Sequence, residues 1–260
     1  MNQSLIDSHC HLDGPEYDSD RDAVIARARE AGVRHLLVIG TGASYQEIGA
    51  ALPIAESIDG AYCAAGIHPH EASKFLASDF SELRAFARHP KFLAIGEIGL
   101  DYHYDHSPRE AQREILIRQL ELARELKLPV LIHCREAWDD LRRICHEHWR
   151  GAGRGGILHC FTGSREDAFK LMDYGFMISF AGNLTFKNAG ALREVARQIP
   201  ANYLLTETDC PFLAPVPHRG KRNEPAFVAE VLRQLAVLRG TSEEELGAQV
   251  HDNFKTLFSL

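Results

Sequence analysis

Short apolar runs recur along the chain at intervals of about 30 residues, and amphipathic segments lie between them. Each run is rich in aliphatic or β-branched residues and lacks a clean alternation with polar positions. Such runs are typical of parallel strands that are buried on both faces of a sheet. The pattern predicts eight strands, which span Leu5–Asp7, His35–Gly40, Tyr62–Ile67, Phe92–Glu97, Val130–His133, Gly156–His159, Phe176–Phe180 and Tyr203–Thr206.

The segments between these runs carry the end signals of helices. Ser107 and Pro108 place a cap residue before a proline at the first helical position, and Gly32 follows another segment as a C-terminal glycine. The predicted helices span Asp20–Ala31, Glu47–Ser57, Ser81–Arg88, Pro108–Leu126, Glu136–Arg150, Glu166–Tyr174, Ala189–Gln198, Glu224–Arg239 and Ser242–Phe258.

This alternation of strands and helices predicts the α/β class and, within it, a closed (β/α)8 TIM barrel. The length of 260 residues is close to the roughly 250 that one such barrel needs, so we expect a single domain over residues 1–260. An open doubly wound sheet is the competing fold. It would normally carry a glycine-rich phosphate loop after its first strand, where this chain has His-Cys-His at residues 9–11.

The composition is that of an ordinary globular protein, with 45% apolar and 25% charged residues. No apolar run approaches the ~18 residues that span a bilayer, and the N-terminus lacks the pattern of a signal peptide. The six cysteines are scattered, so we expect reduced thiols in a cytoplasmic protein. The net charge of −7 argues against a protein that coats nucleic acid but allows a local positive pocket for one strand end. We expect a monomer without membrane attachment.

Residues of metal-binding type follow the predicted strands at one end, where barrel enzymes place their active sites. They are His9 and His11 after the first strand, Glu97, His133 and His159 at the ends of the fourth, fifth and sixth strands, and Asp209 after the eighth. Two histidines at a spacing of two share a side of an extended segment, so both imidazoles can bind one ion. Six ligands exceed what one catalytic ion requires. Two ions roughly 3.5–4 Å apart would use all six, with Glu97 as the bridging carboxylate.

Four cysteines directly follow a proposed ligand, which raises the alternative of a cysteine-ligated zinc site. They are Cys10, Cys134, Cys160 and Cys210. Because adjacent residues of a strand point to opposite faces, we interpret these cysteines as small buried apolar residues.

Other polar residues at the same end are candidates for supporting roles. Glu207 shares a face with Asp209, either as an acceptor that orients a ligand histidine or as part of an ion pair in the barrel core. His68 follows the third strand and either touches a substrate phosphate or hydrogen-bonds within its loop. The remaining histidines, His70 among them, fit ordinary surface positions.

A basic segment follows the eighth strand and contains His218, Arg219 and Arg222. Beside a pair of metal ions these charges would suit a phosphodiester, and Arg135 at the end of the fifth strand could join them. The alternative is a solvated basic loop without a ligand.

Seven segments, in order along nearly the whole chain, resemble the signature segments of the TatD family of metal-dependent deoxyribonucleases. They are DSHCHLD (7–13), GIHPH (66–70), GEIGLDYH (96–103), PVLIHCRE (129–136), ILHCFTGS (157–164), LLTETDCP (204–211) and PHRGKRNEP (217–225). The resemblance implies one ion on His9, His11, Glu97 and Asp209, and a second ion on Glu97, His133 and His159. It favours substrate contact for His68 and implies 3′ exonuclease action on single-stranded or frayed DNA ends.

The hypothesis is therefore hydrolysis of DNA by a hydroxide that two metals generate, with Glu97 and Asp209 as the catalytic carboxylates. As a ligand that would lie beside the nucleophile, Asp209 could also accept its proton. Histidine and carboxylate ligands admit zinc, manganese, cobalt, nickel or magnesium. The same ligands would serve an ester or amide hydrolase, for example an aminoacyl-tRNA deacylase or a lactonase. A non-catalytic scaffold is a third alternative, against which six intact ligand positions argue.

Overall fold

A computed structural model describes residues 4–42, 45–75 and 79–260. Its eight strands form one parallel sheet in which each strand pairs with the next in sequence. They are β1 Leu5–Cys10, β2 Val33–Thr41, β3 Ala61–Gly66, β4 Phe92–Asp101, β5 Val130–Arg135, β6 Gly156–Leu158, β7 Phe176–Phe180 and β8 Leu204–Thr206. The first and last strands meet through a bridge between Cys10 and Cys210 and a hydrogen bond from Asp209 N to His9 O of 3.0 Å. The predicted (β/α)8 barrel is confirmed.

Ten α-helices in the described residues connect the strands and pack around them. They are α1 Arg21–Glu30, α2 Tyr45–Gly49, α3 Ala51–Ser57, α4 Asp79–Phe86, α5 Arg109–Leu126, α6 Trp138–Ile144, α7 Arg165–Met172, α8 Gly190–Gln198, α9 Val228–Arg239 and α10 Glu243–Phe258. The helix predicted over Glu47–Ser57 is divided between α2 and α3. Pro53 explains the break, because a proline has no N–H for a helix interior but fits the first turn of α3. No helix in the described ranges is both long and apolar enough to cross a membrane.

Strands β1 and β4 extend further than the apolar pattern predicts, β1 through Ser8 and His9 to Cys10 and β4 through Ile98 to Asp101. Asp101 ends β4, where it pairs with Arg135, and Gly99 pairs with His133. Gly99 has a φ of +151°, and a Cβ there would lie 1.9 Å from the carbonyl oxygen of His133. Only glycine therefore allows β4 to lie this close to β5 at the position of a candidate ligand.

Two buried glutamines of α5 hold the ends of strands β3 and β4. The Gln119 amide accepts a hydrogen bond from Ile67 N at 2.7 Å and donates one to Ile67 O at 3.1 Å. Gln112 bonds the backbone of Asp101 in the same way, at 2.7 and 3.1 Å. A buried peptide group that lost such partners would be unsatisfied, so α5 fixes the strand ends that carry the functional face.

Candidate metal centre

Five of the six predicted ligands line one cavity of about 930 Å³ at the C-terminal ends of the strands, and the sixth, His9, is fully buried with its Nε2 3.2 Å from His11 Nε2. His9, Glu97 and His133 lie within β1, β4 and β5. His11, His159 and Asp209 lie in the segments that directly follow β1, β6 and β8. Residues some 200 positions apart in the chain are thus neighbours, because every parallel strand ends at the same rim of the barrel.

One cluster consists of His9, His11, Asp209 and one oxygen of Glu97. The Nε2 atoms of His9 and His11 lie 3.2 Å apart. Glu97 Oε2 lies 3.4 Å from the first of these atoms and 3.8 Å from the second. Asp209 Oδ1 lies 3.8 and 3.5 Å from the same two atoms. A tetrahedral ion with ligands at about 2.0–2.2 Å keeps its ligand atoms roughly 3.3–3.6 Å apart, so this donor set fits one divalent cation.

A second cluster surrounds the other oxygen of the same carboxylate. Glu97 Oε1 lies 2.8 Å from His159 Nε2 and 2.9 Å from His133 Nδ1. The two histidine atoms are 3.4 Å apart, and His68 Nε2 lies 3.5 Å from Glu97 Oε1. The Glu97 carboxylate therefore stands between two groups of imidazoles and presents one oxygen to each. This is the arrangement that a carboxylate bridging two ions requires.

Two buried carboxylates orient the histidines of the second cluster. Asp101 Oδ2 lies 3.1 Å from His133 Nε2, and Glu207 Oε1 lies 3.2 Å from His159 Nδ1. With a proton on the nitrogen that faces the acid, each ring directs its other nitrogen toward Glu97. An acid that fixes the tautomer of a histidine in this way is a recurrent feature of metal sites. The sequence left Glu207 open between such an acceptor and an ion pair in the barrel core, and in the structure its Oε1 faces His159 Nδ1.

Burial and neighbouring charges shift the pKa values of the centre in opposite directions. Burial acts to raise the pKa of Glu97, but His159 and other nearby histidines outweigh it and hold the pKa well below its ordinary value. Burial acts to lower the pKa of His11, yet the hydrogen bond with Asp209 raises it to about 9. His68 has its pKa lowered to about 4, mainly by burial. Without metal, the Glu97 carboxylate is therefore ionised beside protonated imidazole, and cations would have to displace protons.

Sequence reasoning missed Asp101 and His70. His70 was interpreted as a surface residue, but it lines the cavity and its Nε2 lies 3.0 Å from Asp101 Oδ2. The available signal was strand alternation, because Asp101 follows Glu97 by four residues and shares its face of β4.

The predicted substrate contacts divide into two groups. His68 and Arg135 line the cavity, with the Arg135 guanidinium 4.6 Å from the ring centre of Tyr104. The structure does not bring the basic segment to the cavity wall. Its three predicted side chains bind elsewhere: His218 stacks on Phe227 at 3.7 Å, Arg219 lies over Phe186 at 3.8 Å, and Arg222 pairs with Asp20 at 2.7 Å.

Two of the four cysteines beside the ligands, Cys10 and Cys210, lie outside the cavity wall, whereas Cys134 and Cys160 line the cavity. Cys10, Cys134 and Cys210 are buried, and the Cys10 thiol donates to the carbonyl oxygen of Leu37. Cys160 is partly buried and lies against the Asn183 amide at 3.6 Å. The candidate metal clusters among the described residues contain histidine and carboxylate only.

Comparisons with known proteins agree with this geometry. A family model described as TatD related DNase matches residues 6–259. An uncharacterized metal-dependent hydrolase of Bacillus subtilis, YabD, is 43% identical over 98% of this chain and 99% of its own length. A protein of Erwinia amylovora named 3′-5′ ssDNA/RNA exonuclease TatD is 40% identical over 98% of this chain and its full length. The crystal structure of YJJV, a TatD homolog from Escherichia coli K12, superposes with a TM-score of 0.92 at 32% identity, with both chains fully covered.

Proposed function

The chain belongs to the family of TatD-related DNases and is a metal-dependent hydrolase; from this premise we propose that it is a two-metal exonuclease that removes nucleotides from the 3′ ends of single-stranded DNA. The observation that carries the proposal is the division of the Glu97 carboxylate, with Oε2 among His9 and His11 and Oε1 among His133 and His159. The name of the Erwinia relative supports the substrate and the polarity.

Two divalent cations held by these residues would supply an activated water and neutralise the charge that develops on the phosphate. The chain's own groups do the rest of the work. Glu97 and the histidines around it keep the two ligand sets at a fixed separation. Asp209, whose Oδ1 lies beside His9 and His11, is placed to accept the proton of the attacking water. His68 and Arg135 line the cavity and would hold the phosphate oxygens.

The proposal also covers domain organisation, oligomeric state and cellular compartment. The family match over residues 6–259 supports a single domain. Every proposed ligand comes from one chain, so a monomer already contains the whole centre. All six cysteines are free, which supports a reducing cytoplasmic compartment.

The test is digestion of single-stranded oligonucleotides labelled at either the 5′ or the 3′ end by metal-reconstituted protein. We expect stepwise shortening from the 3′ end, abolished by chelator and by Glu97→Ala. Glu147→Ala is the matched control, because Glu147 lies half-exposed on the outside of the barrel and outside the cavity. Shortening from the 5′ end would contradict the polarity. Intact DNA with two ions bound would overturn the nuclease assignment and make aminoacyl-tRNA the next substrate to test.

A further inference from the structure

Two aromatic rings stand exposed at the mouth of the metal cavity. Among the described residues, five large hydrophobic side chains are exposed: Tyr104, Phe212, Val216, Val237 and Leu260. Two of the five, Tyr104 at 51% and Phe212 at 58% exposure, line the cavity. Exposed apolar surface that is concentrated at a binding cavity is characteristic of a ligand contact.

Phe212 is fixed beside the first cluster. Its backbone N–H donates to the carbonyl oxygen of Asp209 at 2.9 Å, and its own carbonyl accepts from the Asn223 amide at 2.6 Å. Its ring centre lies 6.2 Å from that of His11, edge to face. The backbone that carries the ring is thus fixed by the turn that carries one proposed ligand, while 58% of the residue stays exposed.

Tyr104 is fixed beside the second cluster. Its backbone N–H donates to Asp101 Oδ1 at 2.9 Å, and the other oxygen of that carboxylate holds His133. The ring of His106 is parallel to it at 5.4 Å, and the Arg135 guanidinium lies 4.6 Å from its centre. One exposed ring is therefore tied to each half of the centre, on the two sides of the Glu97 bridge.

We propose that Tyr104 and Phe212 are two nucleobase-stacking platforms, which receive the bases on either side of the phosphate at the metal centre. The inference rests on the proposed function and extends it to the way the substrate is held. A ring that stacks on a base needs that base unpaired, and it tolerates any base because each has a π-face. The Arg135 guanidinium beside Tyr104 would also attract the neighbouring phosphate. The platforms thus account for a preference for single-stranded ends without a sequence preference.

The experiment compares three oligonucleotides that differ at the 3′ end: one normal, one with an abasic tetrahydrofuran at the last position, and one with it at the position before. We would measure kcat/KM for cleavage, and Kd for the phosphorothioate versions, which resist hydrolysis. Stacking of one base makes the normal end roughly 5- to 150-fold better than an abasic end. We expect Phe212→Leu and Tyr104→Leu each to lose this preference at one of the two positions. Phe212→Trp should keep it.

Val237→Ala is the matched control, since Val237 is 72% exposed on α9, away from the cavity. It should behave as the wild type does. Cleavage from the 3′ end with the same base preference in both leucine variants as in the wild type would overturn the platforms and leave the nuclease assignment standing. Ring-dependent preference in Kd without any cleavage would support the platforms and overturn the nuclease assignment.

Discussion

The sharpest prediction concerns Asp101, which touches no substrate in the proposed mechanism. Its Oδ2 accepts hydrogen bonds from ring nitrogens of His133 and His70 at 3.1 and 3.0 Å. Its Oδ1 accepts hydrogen bonds from the backbone N–H groups of His103 and Tyr104 at 3.0 and 2.9 Å. In Asp101→Asn the amide oxygen must face the two backbone N–H groups, because the opposite orientation would direct donors at donors. The amide NH2 then faces His133 Nε2, which has to accept a hydrogen bond.

The consequence is an inverted tautomer at His133. A proton leaves Nε2 for Nδ1, the atom that lies 2.9 Å from Glu97 Oε1 and belongs to the second donor set. To bind a cation, the ring must revert and leave the buried amide unsatisfied, which costs about 1–3 kcal/mol. At 1.36 kcal/mol per factor of ten, this is roughly a 5- to 150-fold loss of affinity. Losses of about 10- to 100-fold are usual when such an acceptor is removed.

The assay is calorimetric titration of metal-free protein with Zn²⁺ or Mn²⁺ in the presence of a competing chelator. In Asp101→Asn we expect one of the two ions, the one at the second cluster, to bind more weakly. The affinity of the His9–His11–Asp209 set for the other ion should stay within about two-fold of wild type. Asp105→Asn is the control: Asp105 lies in the same turn, is exposed and pairs with Arg109. Unchanged affinity for both ions in Asp101→Asn would refute the tautomer argument, as would equal weakening by the control.

Arg135→Ala should raise KM for single-stranded DNA roughly 10- to 100-fold in steady-state kinetics. Arg222→Ala should leave KM unchanged and lower the free energy of unfolding, measured in urea, by about 1 kcal/mol or less. Equal effects of the two substitutions on KM would contradict the placement of the basic segment. Because the pKa of His11 is raised to about 9, its protonation stabilises the metal-free fold below pH 6.5, and this contribution is lost as pH rises through about 9. Metal uptake at pH 7.5 should therefore release protons, which calorimetry in two buffers of different ionisation enthalpy would detect. Binding heats that do not depend on the buffer would contradict this prediction. Gly99→Ala should lower the free energy of unfolding by about 2–4 kcal/mol, because its Cβ would lie 1.9 Å from a carbonyl oxygen of β5. The control Gly151→Ala should lower it by about 1 kcal/mol, because no atom lies within 4 Å of the added Cβ. Similar losses for the two variants would refute the close approach of β4 and β5.

The sequence was sufficient for the fold because the eight strands are marked by apolar runs, and such runs reflect burial on both faces. It was less informative about how far a strand continues beyond its predicted apolar run. The extension of β4 through Gly99 to Asp101 depends on the backbone of β5 beside it. An apolar pattern cannot show that ladder, so Asp101 was overlooked, although it shares a face with Glu97.

The candidate site divides in the same way. The six proposed ligands could be predicted because each lies at or just after the end of a predicted apolar run, and the topology brings these positions together. The basic segment could not be placed, because its position depends on residues far along the chain. Arg222 pairs with Asp20 at the start of α1 and lies 4.7 Å from the ring centre of Tyr17. No local pattern reports such a contact.

The first cluster lies on the seam where the barrel closes. His9 belongs to the first strand and Asp209 follows the last, and a hydrogen bond from Asp209 N to His9 O joins the two. An ion bound there would act as a cross-link between chain segments about 200 residues apart, and closing a loop of that length removes roughly 5 kcal/mol of denatured-state entropy for a covalent bond. The proposed catalytic ion would then also stabilise the closed barrel against unfolding. Loaded and unloaded molecules should differ in how fast the seam opens to a protease, so limited proteolysis would report metal occupancy independently of any substrate.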